Sequence, residues 1–131
     1  MRRLLATTLV ALAAAACAPA AASPSSTTLR VGIHYSAFST GAIDVEPGQT
    51  VRFVVTNRDP IDHEFIIGDR VVQFAHERGT EAFHPPRPGE ITIPAGETVT
   101  TTFTFGERDL LFGCHLPGHY AYGMRGTMEV V

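Results

Sequence analysis

From residue 28 to residue 131, apolar residues come in short runs closed by turn residues, a rhythm that dictates strands rather than helices. Residues 98–105 show it most cleanly, with Val99, Thr101, Phe103 and Phe105 on one face and a row of threonines on the other. Residues 28–34 place Leu29, Val31 and Ile33 on one face, and further runs follow at 42–45, 50–56, 63–67, 90–93, 110–114 and 127–131. Val54 breaks the alternation within 50–56 and predicts partial cover on both faces. Glu46-Pro47-Gly48 and Pro94-Ala95-Gly96 supply turn signals. About eight short strands at this spacing predict an all-β fold, a Greek-key β-sandwich. Its one helical feature is a short turn over 71–78, in an insertion reaching about Pro88. No internal repeat is present.

With 131 residues there is room for one such domain. Charged residues make up 18% and the formal net charge is −3, so the chain lacks the basic stripe a nucleic-acid binder needs. Its first 22 residues predict an export signal: Arg2 and Arg3, then an apolar stretch from Leu4 to Ala16. That stretch is shorter than the ~20 residues that cross a bilayer. Ala14-Ala15-Ala16-Cys17 resembles a bacterial lipoprotein signal, in which the cysteine is acylated and becomes the new N-terminus, although Ala14 stands where such signals carry a branched apolar residue. Ordinary cleavage at a small-x-small site around Ala20 to Ala22 is the competing expectation. The paired arginines do not decide the export route. Residues 18–27, rich in Ala, Pro and Ser, read as a flexible tether that could reach ~35 Å fully stretched, and the domain proper runs over 28–131.

Only Cys17 and Cys114 exist, so after lipidation or cleavage Cys114 is left alone in a compartment where cysteines ordinarily pair. It opens the segment Cys114-His115-Leu116-Pro117-Gly118-His119-Tyr120-Ala121-Tyr122-Gly123-Met124. A thiolate, an imidazole and a thioether at Cys-x4-His-x4-Met offer soft donors, which select copper over oxygen-seeking cations. Pro117 and Gly118 bend the loop, and Gly123 lets it return so that the donors converge. A second imidazole is still needed. His63 is the best candidate, because it heads a strand just after the loop 58–62 and is anchored by Phe65-Ile66-Ile67. His115 is expected to point away from the metal, since neighbours in extended chain alternate. Met128 reads as core. His34, His76 and His84 read as surface histidines, with a second copper group of His76, His84 and Glu77 as the lesser alternative.

These features resemble the cupredoxins, the plastocyanin and azurin family of blue copper proteins, over roughly residues 28–131. Three segments carry the resemblance: the Cys-x4-His-x4-Met loop, Asp62-His63-Glu64-Phe65 and Pro94-Ala95-Gly96-Glu97-Thr98. The Asp-His-Glu-Phe segment and the insertion at 69–88 look more like small bacterial lipoprotein cupredoxins than plastocyanin itself. The resemblance implies a single copper ion cycling between Cu(I) and Cu(II), with His63, Cys114 and His119 as strong ligands and Met124 as a weak axial one. It also implies outer-sphere electron transfer through His119, with a transient redox partner docking on an apolar rim of Leu116, Pro117 and Tyr120. Copper buffering or delivery by a periplasmic or cell-surface module is the alternative. An enzyme is not expected, because multicopper enzymes use His-x-His pairs and this sequence contains none. The expected protein is a monomer in the periplasm or at the outer face of the cell membrane, touching the membrane only through an N-terminal lipid.

Overall fold

The computed structural model describes residues 26–80 and 84–131. The expected leader, Cys17 and most of the tether therefore lie outside the described residues. In chain order the elements are β1 (Thr27–His34), β2 (Ala37–Phe38), β3 (Ala42–Val45), β4 (Thr50–Asn57), β5 (His63–Gly68), α1 (Arg70–Glu77), β6 (Glu90–Ile93), β7 (Thr98–Thr104), β8 (Leu110–Gly113) and β9 (Arg125–Val130). They form a four-stranded sheet, β2-β1-β4-β7, and a five-stranded sheet, β3-β9-β8-β5-β6. Pairs β1·β4 and β3·β9 run parallel, and the remaining pairs run antiparallel.

Strand periodicity decides which face is buried. Val51, Phe53 and Val55 of β4 have no exposed surface, and across the core Phe53 meets Phe65 of β5 at a ring separation of 5.4 Å. Phe65 in turn packs on Phe112 of β8, 5.5 Å away. Each such ring contributes roughly 1.5–3 kcal/mol through burial. On the opposite face of β4, Thr50 and Thr56 stand against Thr104 and Thr98, with hydroxyl contacts of 2.9 and 3.0 Å. Such cross-strand pairs contribute about 0.2–1 kcal/mol each. Val54, on that outer face, is itself only 9% exposed, as its break in the alternation predicts.

The structure differs from the sequence expectation in detail. Among the described residues there are nine strands, because β2 is a two-residue hairpin partner of β1. That is too short to show any period. The final strand begins at Arg125 and ends at Val130, and the helical turn is a full α-helix one residue earlier than expected. Asp69 caps the helix, its Oδ1 accepting from the N–H groups of Val71 and Val72 at 2.9 and 3.0 Å. The buried Gln73 docks the helix on the five-stranded sheet, donating from Nε2 to the carbonyls of Ile66 and Leu111.

Candidate metal centre

His63 is the first residue of β5 and is fully buried opposite Ile93. The loop before it is folded by Asn57. Its Nδ2 donates to the carbonyls of Ile61 and Ile93 at 2.7 and 3.1 Å, and its Oδ1 accepts the N–H of Asp59. That places the Asp59 carboxylate beside His63, whose Nε2 donates to Oδ2 at 2.9 Å. Since a carboxylate only accepts, the proton sits on Nε2 and the lone pair of Nδ1 is left free.

Nδ1 faces Cys114. The Cys114 residue follows β8 directly, and its loop closes on itself: Cys114 N–H donates to the Met124 carbonyl, His119 N–H to Leu116, and Met124 N–H to His119. Gly118 and Gly123 have φ of +86° and +103°, in the region that disfavours side chains, and they let the loop reverse as expected. Sγ of Cys114 lies 3.8 Å from His63 Nδ1 and 3.4 Å from His119 Nδ1. A trigonal ion with metal–nitrogen and metal–sulfur bonds of about 2.0 and 2.3 Å would hold N and S about 3.7 Å apart. The thiol therefore stands at metal-ligand spacing from both imidazoles, and all three donor atoms lie within 4.8 Å of one another. Met124, 2% exposed, closes the loop that carries two of them. Two imidazoles and a thiol, with a thioether in the same loop, are the donor chemistry copper favours.

Electrostatics match this role. Burial raises the Cys114 thiol to about 11, outweighing the N–H groups of Glu64 and Leu116 that favour the thiolate, and the Glu64 charge adds to the rise. Burial lowers the pKa of His119, aided by His63 and opposed by Asp59 and Glu64, which favours the neutral ring that can offer a lone pair. At Asp59 burial works against the charge. The N–H groups of Ser36 and Tyr35, with His63 and His34, overcome it and bring the carboxyl down to about 2.

His63, Cys114 and His119 are thus brought together as the sequence predicts, and Met128 is fully buried core. His115 points away, its Nε2 2.7 Å from Gln73 Oε1, its Nδ1 3.0 Å from Glu77, and its ring stacked on Tyr120. Tyr120 is consequently packed under His115 rather than free on a rim, while Pro117 is exposed and Leu116 packs against the core. Of the expected surface histidines, only His34 is exposed. His76 and His84 are largely buried, at 6% and 15% side-chain exposure. They do meet, but with Glu90 rather than Glu77. Sequence reasoning missed Asp59, which Tyr35 and Ser36 hold from 24 and 23 positions away, and Gln73, which reaches Leu111 and His115, 38 and 42 positions on. Only its place in the loop 58–62 marked the first.

The family model for copper binding proteins of the plastocyanin/azurin family matches residues 26–131. A Vibrio cholerae protein named copper-resistant cuproprotein CopI is 35% identical over 92 residues, 67% of this chain and 54% of that protein. The chain spans little more than half the length of that relative. A Pseudomonas aeruginosa protein of the same name is 27% identical, covering 98% of this chain and 97% of its own. Among solved structures, auracyanin B superposes with a TM-score of 0.69 at 24% identity, over 86% of this chain and 93% of that one. Auracyanin B speaks for the fold and the family model for the kinship: the chain belongs to the plastocyanin/azurin family of copper binding proteins.

Proposed function

We propose that the chain binds one copper ion, which His63, Cys114 and His119 would hold with Met124 as a weaker donor, and that it serves in copper handling outside the cytoplasm. The observation that carries this reading is the preformed donor set, with Cys114 Sγ 3.8 and 3.4 Å from the two Nδ1 atoms. Bound copper would supply one-electron Cu(II)/Cu(I) chemistry. The residues do the rest. Asp59 holds the His63 tautomer, and the buried thiol stays protonated and inert until a metal displaces its proton. The Glu64 N–H, 3.3 Å from Sγ, would steady the thiolate. Copper handling is supported by the names of the relatives, copper-resistant cuproproteins. Export and a lipid on Cys17 belong to this reading, and among the described residues no helix is long and apolar enough to cross a membrane.

Electron transfer is the second reading, favoured by the rigid donors and by His119. His63 and Cys114 are fully buried and His119 is half-buried, so of the three His119 is the one that reaches the surface. A transient redox partner would dock there, beside the exposed Pro117. A single experiment separates the outcomes. Purified protein with one equivalent of Cu(II) should show an intense visible band that Cys114→Ser abolishes; a band that survives this change refutes the site. On reduction, transfer of copper to a Cu(I) chelator marks copper handling, and retention with reversible voltammetry marks an electron carrier.

A further inference from the structure

We propose that His76, His84 and Glu90 form a second metal site, apart from the copper donors, that takes a borderline divalent ion, Cu(II) or Zn(II). His76 lies in the last turn of α1, His84 in the segment that follows, and Glu90 at the start of β6 on the sheet edge. Their donor atoms converge. His76 Nε2 and His84 Nε2 are 3.3 Å apart, and Glu90 Oε2 is 2.9 Å from His84 Nε2 and 3.6 Å from His76 Nε2. Ligands at tetrahedral angles on bonds of about 2.0–2.1 Å stand about 3.3 Å apart. The three observed separations bracket that value.

The protons are in the wrong places for these groups to satisfy one another. His76 Nδ1 is 2.9 Å from the Val72 carbonyl and His84 Nδ1 is 2.8 Å from the Pro85 carbonyl. Carbonyls only accept, so in its neutral form each ring carries its proton on Nδ1 and turns the Nε2 lone pair inward. Two lone pairs then face a carboxylate oxygen that is buried and accepts no hydrogen bond. Arg87 Nη1 also stands 3.6 Å from that oxygen, on a half-exposed side chain. Ring N–H groups tied to backbone carbonyls, with the opposite nitrogens convergent, are how proteins aim metal-binding histidines. Two imidazoles and one carboxylate suit Cu(II) and Zn(II). They are too few oxygens for Ca(II), and they lack the sulfur that Cu(I) prefers.

The site is tested on full-length folded protein carrying one equivalent of copper, titrated with Zn(II) by calorimetry and checked by native mass spectrometry. One further equivalent should bind, and His84→Ala and Glu90→Gln should each weaken it by at least about tenfold. Glu107→Gln, at an exposed carboxylate outside both donor groups, should leave it unchanged. The visible band of the main centre, which none of these changes touches, reports folding in every variant. If the main centre fails to take copper, circular dichroism replaces it, and the Zn(II) result still stands by itself. Cu(II) should fill the same site and be displaced from it by excess Zn(II), and Cu(I) should give no second equivalent. No further equivalent in the parent protein, or equal uptake by the parent and both variants, overturns the proposal. A second equivalent of Cu(I) overturns the divalent class.

Discussion

Replacing Asp59 with Asn removes a charge and keeps the shape. Oδ1 accepts from Tyr35 N–H at 2.7 Å and faces His34 Nδ1 at 3.2 Å. Oδ2 accepts from Ser36 N–H at 2.7 Å and from His63 Nε2 at 2.9 Å. Whichever oxygen becomes an amide nitrogen, a backbone N–H then meets a donor, at roughly 1–3 kcal/mol for an unsatisfied buried group. The two residues affected, Tyr35 and Ser36, have φ of 54° and 52° and no glycine to relieve them. The carboxyl at about 2, against 3.8 unperturbed, gives a parallel figure of about 2 kcal/mol. Metal-free Asp59→Asn should therefore be about 2–3 kcal/mol less stable at pH 7 in urea titrations. A carboxylate with a depressed folded pKa stabilises above its ordinary pKa and loses that contribution as pH falls through the folded value. The gap between parent and variant should thus begin to close near pH 4, with about half the carboxylate contribution gone by pH 3. A gap that is absent at pH 7, or unchanged down to pH 3, refutes the reasoning.

Further expectations follow from the same site. The Cys114 thiol is raised to about 11 from 9.0, so the metal-free protein should lose about 2–3 kcal/mol relative to Cys114→Ser as pH rises from about 9 through 11. Parallel denaturation profiles for the two proteins over that range would contradict it. Met124→Gln should keep the visible band of the copper-loaded protein and lower its reduction potential, because an oxygen donor favours Cu(II) over Cu(I). Voltammetry reads this, and an unchanged or higher potential counts against an axial Met124. Mass spectrometry of protein from its native host should find lipid on Cys17, and an unmodified N-terminus near Ser23 would refute the anchor.

What was legible in the sequence was what is local. Cys114, His119 and Met124 share one loop, so their spacing alone announces a donor set, and His63 betrays itself by heading an apolar strand. Asp59 does not: it faces His63 only four positions on, but the N–H groups that hold its carboxylate there come from Tyr35 and Ser36, 24 and 23 positions away. The second histidine group shows the same limit from another side. Glu77 follows His76 in sequence and suggests itself as the third member, but consecutive helical residues point in different directions. Glu77 turns to His115, 38 positions on, and Glu90 takes the place beside His76 from a different element. The two-residue β2 was invisible because alternation needs more than two positions to be seen.

The parallel pairing of β3 with β9 sets an order of events during synthesis. Ala42 finds its partner only when Thr127 has been made, and His63 waits 51 positions for Cys114. Contacts of such long range close late and slowly. A nascent chain lacking its C-terminal strand therefore exposes an unpaired edge at β3 and β8 and holds His63 without its sulfur partner. The donor group of His63, Cys114 and His119 is consequently assembled late, and only in a chain synthesised at least through His119.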